Sequence, residues 1–187
     1  FFDVESVWPK LEQALRQAIS NLVAMRETEG SNIYGDFIKR ADLIAEKLAV
    51  IEERSPQVVE EYQIRLSDRI NELLAKHNQV IEPERLLQEV AIFADRTSIT
   101  EEIVRLKSHI KQFKLIIDAD QPVGRKLDFL IQEFNREANT IASKANDYTL
   151  AQVVVEIKAE IEKIREIHIK ISRFIVTFAY EEFFEGY

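Results

Sequence analysis

Helix breakers are almost absent from this chain. Four Gly and four Pro in 187 residues leave long uninterrupted stretches, and within them apolar residues recur at a period near 3.6. That combination predicts a mostly α fold, a bundle of about six helices. From Pro9, the residues Leu11, Leu15, Ala18 or Ile19, and Leu22 make a seam that resumes in phase at Ile33, Phe37, Ala41, Ile44, Leu48 and Ile51. Arg26 and Glu29 occupy seam positions in the interruption, just before Gly30. Two charges on an apolar stripe need partners, so they are either an i, i+3 structural ion pair at a kink or functional groups. Ser55-Pro56 is expected to close this helix and open a second reaching Lys76, giving a long antiparallel helical hairpin over residues 1–80. His77 then belongs to a solvated helix end.

Residues 81–166 hold the denser pattern. Glu82-Pro83 opens a helix whose Leu86, Leu87, Val90, Ala91, Ile92, Phe93 and Ala94 leave few polar positions, so it should be central and largely buried. Glu89 in that setting needs an Arg or a metal ion as partner. The next helix, capped by Thr97 or Ser98, buries Ile103, Leu106, Ile110, Phe113 and Ile117 and projects Glu102, Arg105 and His109 together from the edge of that face. His109 beside a carboxylate can be a general base, a metal ligand, a phosphate contact or an ordinary hydrogen-bonded histidine, and no HExxH spacing decides among these.

After the turn at Gln121-Pro122, the helix Gly124–Lys144 has a core stripe of Leu127, Ile131, Phe134, Ala138, Ile141 and Ala142. Its polar surface is unusual. Asp128, Gln132, Asn135, Arg136, Asn139 and Ser143 line one flank, and Glu133, Glu137, Thr140 and Lys144 the other. Asn, Ser and Thr are mediocre helix formers, so chemistry, RNA, metal or helix packing has to explain them. Glu133 and Glu137 stand one turn apart, close enough to share a cation or to be clamped by Arg26, Arg105 or Arg136. A sixth helix from Thr149 carries the seam Val153, Val154, Ile157, Ile161 and Ile164. Beyond Glu166, IHIKISRFIVTF alternates apolar and polar residues, which predicts an irregular or short β-like C-terminal tail over 167–187 with no functional weight on His168.

The formal charge of −8 argues against a uniformly basic nucleic-acid surface. Arg105, Lys107, Lys111, Lys114, Arg125 and Lys126, against Asp118 and Asp120, still allow one positive strip. With no cysteine, disulfides and thiolate metal sites are excluded. No apolar run approaches the ~18 residues of a membrane span. The chain starts at Phe1-Phe2 without Met, so its true N-terminus is expected upstream.

MRETEG at Met25–Gly30, RLLQEVAIFADRTSITEEIVRLKSHI at Arg85–Ile110 and PVGRKLDFLIQEFNREANTIASKAND at Pro122–Asp147 resemble the C-terminal helical region of the YicC/YloC family of bacterial proteins, and EIKAEIEKIRE, ending at Glu166, continues the likeness. The resemblance implies a stress-associated, divalent-cation-dependent endoribonuclease of the bacterial cytoplasm, assembled as a closed homo-oligomer, a hexamer. It also implies a preceding N-terminal α/β half that is missing here, so the fragment alone is expected to be inactive. Residues 167–187 depart from the family pattern.

Cleaving RNA requires activation of a hydroxyl or water and stabilisation of charge at phosphorus. Under the family's metal requirement, Mg²⁺ or Mn²⁺ is the expected cofactor, with Mn²⁺ also accepting imidazole. The expected roles are His109 for proton transfer, Glu102, Glu133 and Glu137 as catalytic metal or water ligands, and Glu89 as a further metal ligand. Arg105, Lys126, Arg136 and Lys144 would contact RNA phosphates, with Asn135, Asn139 and Thr140 orienting ribose or phosphate oxygens. The competing readings are a non-catalytic helical RNA adaptor and a purely structural oligomerisation module.

Overall fold

The computed structural model describes residues 4–75, 82–119 and 123–184, with side chains for 7–75, 82–119 and 123–171. His77, Gln121 and Pro122 lie outside the described residues. The described residues form five helices and no strand: α1 (Val4–Ala75), α2 (Pro83–Arg96), α3 (Thr100–Ile117), α4 (Gly124–Lys144) and α5 (Tyr148–Phe184). No described helix is long and apolar enough to cross a membrane. The chain divides into two units, Phe1–Lys39 and Arg40–Tyr187.

In the first unit, the part of α1 up to Met25 carries its helical seam on the surface. Trp8, Leu11, Leu15, Ile19 and Met25 are all exposed. Local pairs one turn apart decorate the rest, such as Arg16 with Glu12 at 2.8 Å and Gln17 donating to Asn21 at 3.0 Å, each worth a few tenths of a kcal/mol.

The second unit is a four-helix bundle. Ala41, Ile44, Leu48 and Ile51 of α1 are fully buried, as are Leu106 and Phe113 of α3, Phe134 and Ile141 of α4, and Ile157, Ile161 and Ile164 of α5. Each set repeats at three, four or seven residues, so each helix turns one stripe inward. Phe113 and Phe134 meet with ring centroids 5.7 Å apart in a tilted arrangement, a favourable geometry for aromatic quadrupoles. Ion pairs along the seams show the directions. Asp42–Lys114 and Glu52–Lys107 run α3 antiparallel to α1. Arg40–Glu160, Lys47–Glu156 and Arg54–Asp147 do the same for α5. On the far side, α4 lies between α3 and α5, antiparallel to both, through Lys144–Glu102 at 2.9 Å and His168–Asp128 at 2.8 Å.

Four sequence expectations are corrected. Among the described residues there are five helices rather than six and no such hairpin, because α1 runs unbroken through Ser55-Pro56. A proline inside a helix forfeits one backbone hydrogen bond and costs about 3 kcal/mol. Here the turns on both sides are pinned, by buried Ile51 and Val58 and by Arg54, which reaches over the proline to donate to Gln57 at 3.2 Å and Glu61 at 2.9 Å. The β-like tail is instead a continuation of α5 to Phe184. His168 is buried one turn after Ile164, so the helical period persists where the residue types mimic alternation. Finally, α2 is not central: only Val90 is buried, while Leu87 and Ile92 are exposed. Phe93 stacks on Tyr62 of α1 with centroids 3.7 Å apart.

Candidate metal centre

The antiparallel pairing of α3 and α4 decides which polar residues meet. His109 leaves the edge of the α3 core face, one residue before buried Ile110, and points at the stretch of α4 around Phe134. There Glu133 and Glu137, separated by one turn, flank it. One ligand atom from each of His109, Glu133 and Glu137 lies within 4.8 Å of the others. Glu137 is 2% exposed, and a buried carboxylate must be compensated by a nearby cation. That cation is Arg136, whose Nη2 donates to Glu133 Oε2 at 2.6 Å and to Glu137 Oε1 at 2.8 Å.

His109 is the incomplete member. Its Nε2 stands 3.7 Å from Glu133 Oε2, beyond hydrogen-bond distance, and its Nδ1 is buried with no hydrogen-bond partner. The Nε2 that faces Glu133 has no hydrogen bond and is the nitrogen open to a metal ion. The donor set of one nitrogen and two carboxylates fits Mn²⁺, which accepts both, better than Mg²⁺, which favours oxygen and water. Three protein ligands would leave positions for water or a substrate oxygen.

The other predicted residues are placed as follows. Glu102 lies two turns before His109 on α3, outside this group. Its Oε1 accepts from Lys144 Nζ at 2.9 Å, its Oε2 is buried without a partner, and Lys144 also donates to the Ser98 carbonyl at 3.1 Å. Burial pushes the Glu102 carboxyl up, but Lys144 and the residue's own backbone amide outweigh it and hold it below the usual range. Glu89 is exposed on α2 and does not join the group. Arg105 pairs with Glu101. Asn135 and Thr140 donate back to the Ile131 and Arg136 carbonyls of their own helix at 3.2 and 3.1 Å, a local alternative always open to such side chains. Lys126 and Asn139 are exposed, as are Arg26 and Glu29, which no salt bridge joins among the described residues.

Sequence reasoning missed one electrostatic cluster that ties α1 to the start of α5. Arg54 Nη2 donates to Glu61 at 2.9 Å and to Asp147 at 2.8 Å, while Asp147 Oδ1 accepts from the Leu150 amide at 3.0 Å and so caps α5. Glu61 first, then Asp147, raises the Arg54 guanidinium above its ordinary value, and Arg54 in turn holds both carboxyls low. Lys163, then Arg40, does the same for Glu160. Their structural partners favour the ionised form of these carboxylates, which makes them poor candidates for proton transfer. The cap was legible, since an Asp immediately before a periodic run marks a helix start. The long-range partners leave no local signal.

Residues 51–171 match the family model described as "Endoribonuclease YicC-like, C-terminal". The chain is 50% identical over 164 residues to a protein of Clostridioides difficile (strain 630) named "Probable endoribonuclease YicC", covering 88% of this chain and 56% of that protein. A Haemophilus influenzae protein of the same name is 34% identical over 164 residues, with the same 88% and 56% coverage. The chain thus spans little more than half the length of the curated relatives it matches.

Proposed function

Because the chain belongs to the YicC-like endoribonuclease family, in its C-terminal region, we propose that it is the helical part of a divalent-metal-dependent endoribonuclease that cleaves RNA phosphodiester bonds. The observation that carries the metal half of this reading is the meeting of His109, Glu133 and Glu137 within 4.8 Å. In this reading Glu133 and Glu137 would hold Mn²⁺ and His109 would complete the set, which moves His109 from proton transfer to metal holding. A bound divalent cation supplies charge for the developing phosphorane and lowers the pKa of a water or hydroxyl. The chain's own residues orient the RNA around it. Lys126 and Arg136 are exposed cations on the same helix as the carboxylates, placed to contact phosphate oxygens, with Asn139 offering an amide. Glu102 and Lys144 act as a clamp between α3 and α4.

The rest of the proposal follows the family: a bacterial cytoplasmic enzyme of stress-associated RNA turnover, working as a homo-oligomer, a hexamer. The 187-residue chain alone is expected not to cleave, because it spans only part of its relatives. The test uses the full-length parent protein and a structured RNA with and without Mn²⁺. Glu137→Gln and His109→Ala should each slow divalent-dependent cleavage by about a hundredfold or more, at or beyond the upper end of the cost of merely disturbing a metal ligand's support, while thermal melts confirm folding. Unchanged rates in folded variants would remove the site and leave an RNA adaptor as the better reading.

A further inference from the structure

The two carboxylates of this centre already share one counter-cation from their own helix. One nitrogen, Arg136 Nη2, is shared between Glu133 Oε2 and Glu137 Oε1, and a divalent cation held by the same two oxygens would compete with that guanidinium for both charge and lone pairs. The two partners differ in freedom. Glu137 is almost fully buried and cannot leave, whereas the Arg136 side chain is 57% exposed, so it can swing into solvent without disturbing the core. Since an uncompensated buried carboxylate is costly, a cation beside Glu137 is strongly favoured.

We infer that Arg136 is a latch: it fills the cation position of the His109–Glu133–Glu137 centre in the metal-free protein, and on metal entry it is released to take an RNA phosphate at the rim. The inference rests on the metal reading above and adds a coupling to it. The guanidinium is a planar fork matched to phosphate oxygens, and its release places an unpaired positive charge beside the centre only when metal is loaded. Metal and RNA therefore bind with positive cooperativity through one side chain, and by linkage each raises the other's affinity by the same factor.

The experiment titrates Mn²⁺ calorimetrically into this chain as wild type, Arg136→Ala, Arg125→Ala and Glu137→Gln. Arg125 is exposed in the first turn of the same helix, about 16 Å from Arg136 at 1.5 Å per residue, and its removal controls for net charge. Arg136→Ala should bind Mn²⁺ about tenfold more tightly than wild type, a modest factor for a competing charge-assisted pair that is partly solvated. Arg125→Ala should match wild type and Glu137→Gln should abolish binding. If Arg136→Ala does not fold, Arg136→Lys, which loses the fork but keeps the charge, should shift affinity in the same direction by less. In the second arm, Mn²⁺ should tighten binding of a 2′-O-methylated RNA to wild type and have little effect in Arg136→Ala. Equal Mn²⁺ affinity in Arg136→Ala and Arg125→Ala, with Glu137→Gln still defective, overturns the latch and leaves the metal site standing. Mn²⁺ binding indifferent to Glu137, or absent, overturns both. RNA affinity that ignores Mn²⁺ in wild type, or no RNA binding at all, overturns the phosphate half.

Discussion

Glu102 and Glu137 are both buried carboxylates on the facing sides of α3 and α4, and what separates their roles is the cation each one has. Lys144 reaches Glu102 across the helix interface and is itself tied to the Ser98 carbonyl, so that pair is committed to holding α3 against α4. Lys144→Ala strands a buried carboxylate and should cost about 2–3 kcal/mol in urea unfolding. Adding Glu102→Gln to it should recover part of the loss, as expected when the penalty comes from the orphaned charge. No recovery in the double variant would mean that packing of the Lys144 stem, not the charge, supplies the stability. At this scale the sequence was legible where geometry is local. Glu133 and Glu137 sit one turn apart in any helix, and Arg136 is within reach of both. It was not legible where a helix register decides, which is why Glu102 and Lys144 were expected in separate roles. Asn135 and Thr140 suggested ligand contacts because their bonds to their own backbone cannot be distinguished in the sequence from bonds to RNA.

Among the elements, α5 depends on Asp147. This residue accepts the Leu150 amide and bonds Arg54, joining a helix start to the stretch of α1 that spans Pro56. Asp147→Ala should lose about 1 kcal/mol from the cap alone, whereas Asp147→Asn keeps an acceptor and removes the charge. The Asp147 carboxyl is held low by Arg54, so the stability it contributes is present above its ordinary unfolded value, near 4, and is lost as pH falls through its lower folded value. Urea unfolding of wild type and Asp147→Asn should therefore differ clearly at pH 7 and converge as the pH drops below that range. A gap that persists at low pH would show that the charge is not what Asp147 contributes. The elements the sequence misjudged share a cause. Pro56 and the alternating residues after Glu166 are strong local signals, and each was overridden by buried neighbours, Ile51 and Val58 in one case and Ile164 and His168 in the other. Tertiary packing outweighs propensity when a turn is anchored on both sides.

For the molecule, the Arg40–Tyr187 unit behaves as a scaffold in which three helices hold the fourth, α4, so that its polar flank meets α3. The apolar periodicity that predicted a helical bundle also produced this scaffold, and the family motif over Pro122–Asp147 marks the helix on which the centre lies. What no single helix could show is that His109 lies opposite Glu133 and Glu137, because that depends on how α3 and α4 slide past one another. Binding of a divalent cation at this meeting point is the proposal on which the reading of the site depends. It is tested most directly by anomalous diffraction at the manganese edge from crystals of this chain grown with Mn²⁺. One strong peak is expected, bounded by His109, Glu133 and Glu137, with the Arg136 guanidinium withdrawn from both carboxylates. Saturating Mn²⁺ that leaves no peak there, with Arg136 still bridging Glu133 and Glu137, would contradict it.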